Sequence, residues 1–297
     1  MIIPYDVDVP YDHKPFANYL LSATVVIAFI FQFLSPQEAI ELYVLKGWDM
    51  EGMLGHMWLH GGIFHLIGNM IFLWVFGNAV CSKTGNLFYV PVYIFLGIIA
   101  ATIHLLFDGG IAVGASGAIN GIVGMYLVFF PLNTISCLWA FGFYMSRTFS
   151  LSSFWMILFW LAFDIWGVVS GGGRVAYFAH LGGFSAGFGL AILILKLKIV
   201  TMDDRYEKSL IQIYQEKFKT RPMEKEAEPD SESQRGFRPG TSRKTDINEP
   251  PVIKPEDEFI RFQCECGKRI KTPRAYAGHA GTCPGCSRRV QVPMDNN

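Results

Sequence analysis

Two side chains sit on separate apolar stretches where hydrocarbon should reject them. Ser116 lies in Gly114-Ala115-Ser116-Gly117, and His180 follows Ala179. Polar and ionisable groups that persist inside a membrane span usually do chemistry or line a pathway. A serine hydroxyl is a weak nucleophile until a neighbouring base takes its proton. Neutral imidazole can take that proton and later return it to a leaving amine. Gly114 permits an unusual backbone conformation just before a helix, and Gly117 removes side-chain bulk beside the hydroxyl. The unpaired N–H groups of the helix's first turn would point toward an oxyanion formed there. The plainer reading of the serine is an N-cap, and of the histidine a single interhelical hydrogen bond.

A second polar cluster comprises His56, His60, His65 and Asn69. His65 and Asn69 are four apart and share a helix face, so both can donate toward the same oxyanion. The alternative use of His56, His60 and His65 is as metal ligands. His104 has no partner motif and reads as structural. Asp164 has three open roles: orienting His180, sitting protonated, or lining a water cavity.

These residues need helices to hold them. Six apolar stretches cover residues 17–34, 64–80, 87–107, 116–130, 152–170 and 175–195. A spanning helix takes roughly 20 apolar residues. The second and fourth fall short and open on the polar motifs, which suits helices that begin inside the bilayer, against protein or a water cavity. Gly117, Gly121 and Gly124 give the fourth stretch a small face; Gly183, Gly187 and Ala191 give the sixth one below His180. Small faces let helices approach closely. Packing the two would bring Ser116 and His180 together at similar depth.

Formal charge sums to zero over 297 residues, but the charges crowd after Ile199. That division reads as a membrane body and an aqueous tail, and gives no strong case for a nucleic-acid partner. The polar start lacks the basic opening and cleavage site of a signal peptide, so the first stretch is expected to remain as a span. Six spans put both termini on one side. Lys83, Arg147, Lys196 and Lys198 then place that side in the cytoplasm, against Lys46 and Arg174 outside.

Residues 201–257 read as a charged surface helix followed by a disordered tether rich in Pro, Glu and Ser. Residues 258–294 read as a small fold. Cys264 and Cys266, then Cys283 and Cys286, form two close pairs, with His279 a lesser candidate. Thiolates so spaced suit a tetrahedral structural zinc, which would stabilise a domain too short to support itself by apolar burial. Cys81 and Cys137 read as unpaired residues of the membrane body.

The stretch from Met57 through His65 to Asn69, then Phe72-Leu73-Trp74-Val75-Phe76-Gly77, then Val113 to Gly121, then Ala179-His180-Leu181-Gly182-Gly183 resembles, in order and spacing, the rhomboid intramembrane serine proteases. The resemblance covers roughly residues 15–198. It implies an all-α, six-transmembrane-helix bundle over residues 1–200, multi-pass in what is expected to be a bacterial cytoplasmic membrane. It implies Ser116 as nucleophile and His180 as base, a dyad with no required acid, and His65 and Asn69 at the oxyanion hole. Catalysis would need no cofactor. Substrates would be transmembrane proteins in the same lipid bilayer, arriving sideways past the fifth span. Trp48-Asp49 stands where many relatives carry Trp-Arg, which puts the usual contacts of the first loop in doubt. The tail looks like the short zinc ribbons appended to bacterial membrane proteins, and leaves room for a cytosolic partner. The rivals are a non-catalytic membrane chaperone on the same bundle and a transporter relay. The first usually lacks the serine or histidine, and the second calls for more buried carboxylates.

Overall fold

The computed structural model describes residues 2–141, 145–171, 175–202, 208–219, 259–265, 268–273, 277–278, 280–283 and 288–294. The chain divides into two compact units, Met1–Glu226 and Ala227–Asn297.

The first unit runs β1 (Ile2–Val7), α1 (Phe16–Leu34), α2 (Ile63–Thr84), α3 (Asn86–Phe107), α4 (Ser116–Phe129), β2 (Thr134–Phe141), β3 (Met145–Ser152), α5 (Ser153–Val169), α6 (Tyr177–Lys196) and α7 (Leu210–Lys219). Helices α1, α2, α3 and α6 are long and apolar enough to cross a bilayer; α4 and α5 are apolar but shorter, at 14 and 17 residues. Each falls within a few residues of one of the six apolar stretches.

Burial sorts these helices. On α1, Asn18, Leu21, Val25 and Phe29 are buried at helical spacing, while Leu20, Ile27, Phe31 and Leu34 are exposed. That is a helix with one protein-facing stripe and a lipid-compatible remainder. Helix α4 is buried nearly all round, from Gly117 to Phe129. It is the central post of the bundle, and the small faces explain how neighbours reach it. A Cβ added at Gly183 would overlap the Gly117 carbonyl, and one at Gly124 would overlap the Phe184 carbonyl. Glycine there lets backbone meet backbone.

Helix α2 widens to a π turn at Leu73–Gly77. Such a turn disturbs the regular backbone ladder, and buried Asn18 supplies compensation. Its amide donates to the Leu73 carbonyl at 2.9 Å and to Asn78 Oδ1 at 2.7 Å, while its own oxygen accepts from the Tyr89 hydroxyl at 2.7 Å. One polar side chain thereby ties α1, α2 and α3 together without leaving its own groups unpaired.

The expectation of an all-α body needs correction. β1, β2 and β3 form an antiparallel sheet in that order, with Ile3 opposite Leu138 and Ile135 opposite Leu151. Pro4, which lacks an N–H, sits in an edge strand beside a register shift between Pro4 and Asp6, where proline is tolerated. The sheet carries Val7, Ile135 and Cys137 into the bundle's core. β1 does not announce itself locally, because its partner lies more than a hundred residues away.

Helix α7 lies inside the expected charged segment. Ser209 begins it, with its N–H and hydroxyl both 2.7 Å from Gln212 Oε1, a capping box. The expected tether, Arg174, Cys266, His279 and Cys286 lie outside the described residues.

The second unit contains two antiparallel hairpins: β4 (Phe259–Gln263) with β5 (Arg269–Pro273), and β6 (Ala280–Thr282) with β7 (Arg289–Gln291). Cys264 and Cys283 follow the first strand of each and are buried. The Cys264 N–H donates to the Lys268 carbonyl and the Cys283 N–H to the Arg288 carbonyl, both at 2.9 Å. The two cysteines therefore hold equivalent places, each just after the first strand of its hairpin.

Candidate active site

Ser116 is the first residue of α4, with Ala115 in the cap position and no side-chain cap bond. The hydroxyl is thus not occupied in capping. It lies 2.9 Å from His180 Nε2 on α6. The glycine contacts between α4 and α6 set this distance, since any side chain between the helices would spread them. On its other edge the imidazole presents Nδ1 to Asp164 Oδ1 of α5 at 3.0 Å.

Gly114 precedes the serine with φ +129°, a conformation that penalises any Cβ. Its N–H donates to the His56 carbonyl at 2.8 Å. A Cβ at Gly114 would stand 2.7 Å from His65 Cε1. The missing side chain is therefore what lets His65 close against the serine loop. Asn69, one turn further along α2, also faces Gly114; its amide nitrogen is buried and makes no hydrogen bond within the structure. The Gly61 N–H approaches His65 Nδ1 at 3.4 Å. Nδ1 then acts as acceptor, which leaves the proton on Nε2, the atom nearer Gly114. His65 Nε2 and the Asn69 amide thus both lie beside Gly114, two residues before Ser116.

These groups open onto a cavity of about 850 Å³ lined by His65, Asn69, Ser116 and His180 among others. That volume is in the range that takes a ligand-sized segment. His104 and Asp108 also line it. Buried His104 lies 2.8 Å from the Gly110 carbonyl through Nε2 and 3.3 Å from the Asp108 carboxylate through Nδ1. It braces the loop that leads to Gly114, a support that no sequence motif marks.

His56 and His60 do not line this cavity. His56 Nδ1 is 2.9 Å from the Gly52 carbonyl, and burial pushes its imidazole below the ordinary value. The backbone of His60 is clamped by Gln32, whose Nε2 donates to the His60 carbonyl at 2.9 Å and whose Oε1 accepts the His60 N–H at 3.0 Å. Its buried ring packs edge-on toward His65, with centroids 5.2 Å apart. Burial, and secondly the nearby His65, push the His60 imidazole down to about 4. Among the described residues no three His, Cys, Asp or Glu side chains converge as metal ligands. Asp49, the departure in the first loop, caps the short helix Met50–Gly55 by accepting from the Gly52 N–H at 2.7 Å.

The family model describing the rhomboid domain matches residues 47–197. The chain is 32% identical over 153 residues to the RHOMBOID-like protein 6, mitochondrial, of Arabidopsis thaliana, across 51% of this chain and 46% of that protein. It is 33% identical over 152 residues to the RHOMBOID-like protein 2 of the same plant, across 50% of this chain and 43% of the other. With the Rhomboid protease GlpG of Enterobacter sp. (strain 638) it shares 23% identity over 188 residues, 60% of this chain and 62% of that one. The chain thus spans about half the length of the plant relatives it matches. The matched segment holds Ser116, His180, His65, Asn69 and Asp164, and its apolar helices make the protein an integral membrane protein. By that match the chain belongs to the rhomboid family.

Proposed function

We propose that this protein is an intramembrane serine endopeptidase that cuts transmembrane segments of other membrane proteins. The observation that carries this reading is the 2.9 Å approach of Ser116 Oγ to His180 Nε2 at the rim of the cavity. As the Ser116 oxygen bonds to the scissile carbonyl carbon, its proton passes to Nε2 and the carbonyl electron pair moves onto oxygen. Asn69, His65 and the Ser116 backbone N–H receive that oxyanion. The protonated His180 then gives its proton to the departing amine as the C–N bond breaks. Water repeats the sequence to free the enzyme.

Six crossings fit this reading. β1 pairs with β2 outside the spans, so an even number of crossings separates Val7 from Thr134. Helices α1, α2 and α3 account for three, and α4 supplies the fourth despite its length. Leu45 pairs with Ala112, two crossings apart and one crossing from β1. The serine loop therefore opens on the face opposite the sheet. The lysine and arginine placement makes the sheet face, with both termini, cytoplasmic.

For the tail we propose a structural zinc held by Cys264, Cys266, Cys283 and Cys286. Two buried cysteines in equivalent hairpin turns support it. Metal analysis of the full chain should give about one zinc per molecule, lost on Cys264→Ser with Cys283→Ser.

The protease reading is tested by reconstituting the protein with a labelled transmembrane substrate. Ser116→Ala and His180→Ala should each abolish cleavage while the thermal melt is retained. Cleavage that survives either change points to another nucleophile and sinks the assignment.

A further inference from the structure

A serine–histidine pair needs its imidazole in one tautomer: the proton on Nδ1, the lone pair on Nε2 toward the hydroxyl. A dyad leaves that choice to chance or to water. Here His180 Nδ1 has a specific partner, Asp164 Oδ1, at 3.0 Å, and both side chains are about 15% exposed. Asp164 lies in the middle of α5, among Phe163, Ile165 and Trp166, which face outward. An acid in such an apolar helix is costly unless it faces a partner, and this one faces the edge of the ring opposite Ser116.

Resting on the protease reading, we propose that Asp164 is a positioning residue that completes a Ser116–His180–Asp164 triad. Its carboxylate accepts the Nδ1–H, which fixes the ring plane and leaves Nε2 as the acceptor for the Ser116 hydroxyl. When Nε2 takes the serine proton, the carboxylate stays ionised and balances the imidazolium; no proton moves to Asp164. The link also ties α5 to α6 beside the packing of Gly167 on the Tyr177 ring. The catalytic base is thereby held by two helices rather than one.

The experiment has two arms on the full chain in detergent. In the first, steady-state cleavage is compared for wild type, Asp164→Asn, Asp164→Leu and Asp164→Glu. Leucine is included because an apolar helix accepts it readily, so loss of activity cannot be put down to misfolding once the melt is matched. Kcat should fall at least about tenfold in the Asn and Leu variants, toward the ~10⁴-fold seen when a triad acid is neutralised. KM should stay within about twofold, and Glu should restore part of kcat. In the second arm, ¹⁵N-histidine spectra should show His180 as the Nδ1–H tautomer in wild type and as a mixture, or the other tautomer, in Asp164→Asn. Unchanged kcat in the Leu variant, or the same His180 tautomer with and without the acid, overturns the proposal. The spectra need no turnover, so a wild type that cleaves nothing condemns the protease reading while the link between Asp164 and His180 is still decided.

Discussion

Gly187 rests directly on Gly121. A Cβ on Gly187 would fall inside the Gly121 carbonyl oxygen, while one on Gly189, two residues along α6, would meet nothing within 4 Å. The contact lies between one and two turns of helix from Ser116 and about two turns from His180, so it sets how far apart their helices stand.

Gly187→Ala should therefore force α4 and α6 apart, costing about 1–3 kcal/mol or more by overpacking and lowering cleavage as well. Gly189→Ala should leave both the melt and turnover near wild type, with a slight gain from helix propensity. Thermal melts of the two variants in one detergent check this; equal melts would mean that the helices are not packed backbone to backbone.

Gly114 and Gly85 both have positive φ, +129° and +91°, but only Gly114 meets a neighbour. Alanine at either position should cost on the order of 1–3 kcal/mol in backbone strain. Only Gly114→Ala should also push His65 away and lower kcat, by tenfold or more on the order expected for a displaced catalytic group. Matched melts with unequal turnover are the expected result.

Asn69 carries a buried amide nitrogen with no hydrogen-bond partner among the described residues. Such a group destabilises the protein by roughly 1–3 kcal/mol, and on the proposed function its free donor is the one that meets the oxyanion. Asn69→Leu should raise the melting temperature and lower kcat about 10²–10³-fold. A variant that is less stable, or as active as wild type, contradicts the oxyanion assignment.

His60 lies between spans with its imidazole pushed down to about 4, chiefly by burial. The unfolded chain, with histidine near 6.5, binds a proton that the folded protein refuses between those values. Stability is thus fully present above about pH 6.5 and falls as pH drops toward 4, by roughly 3 kcal/mol in total. His56, lowered by the same cause, contributes with the same sign. His60→Phe should flatten the acid side of a melt-against-pH curve, and an unchanged curve would remove His60 as its source.

The helices and the approach of Ser116 to His180 were legible because both rest on local patterns. Apolar runs of spanning length fix the helices, and glycine at three- and four-residue spacing marks which faces of α4 and α6 meet. What escaped the sequence was non-local or unmarked. β1 is a short edge strand with a proline, and its partner β2 lies more than 120 residues further along the chain. The π turn at Leu73–Gly77 has no residue type that announces it. Asp164 was visible as an oddity, but α5 is apolar around most of its circumference, so no periodicity told which face met His180. Asp49 looked like a departure until its side chain proved to cap the next helix.

The sheet also dictates an order of assembly. Residues Ile2–Val7 leave the ribosome well ahead of their strand partners, Ile135–Trp139, which come more than 120 residues later. At about 5–20 residues per second, that is a wait of roughly ten seconds with an unpaired strand edge while helices α1 to α4 are made. Closing the sheet is then a late event, a clasp that fastens once the transmembrane segments between its two halves are in place.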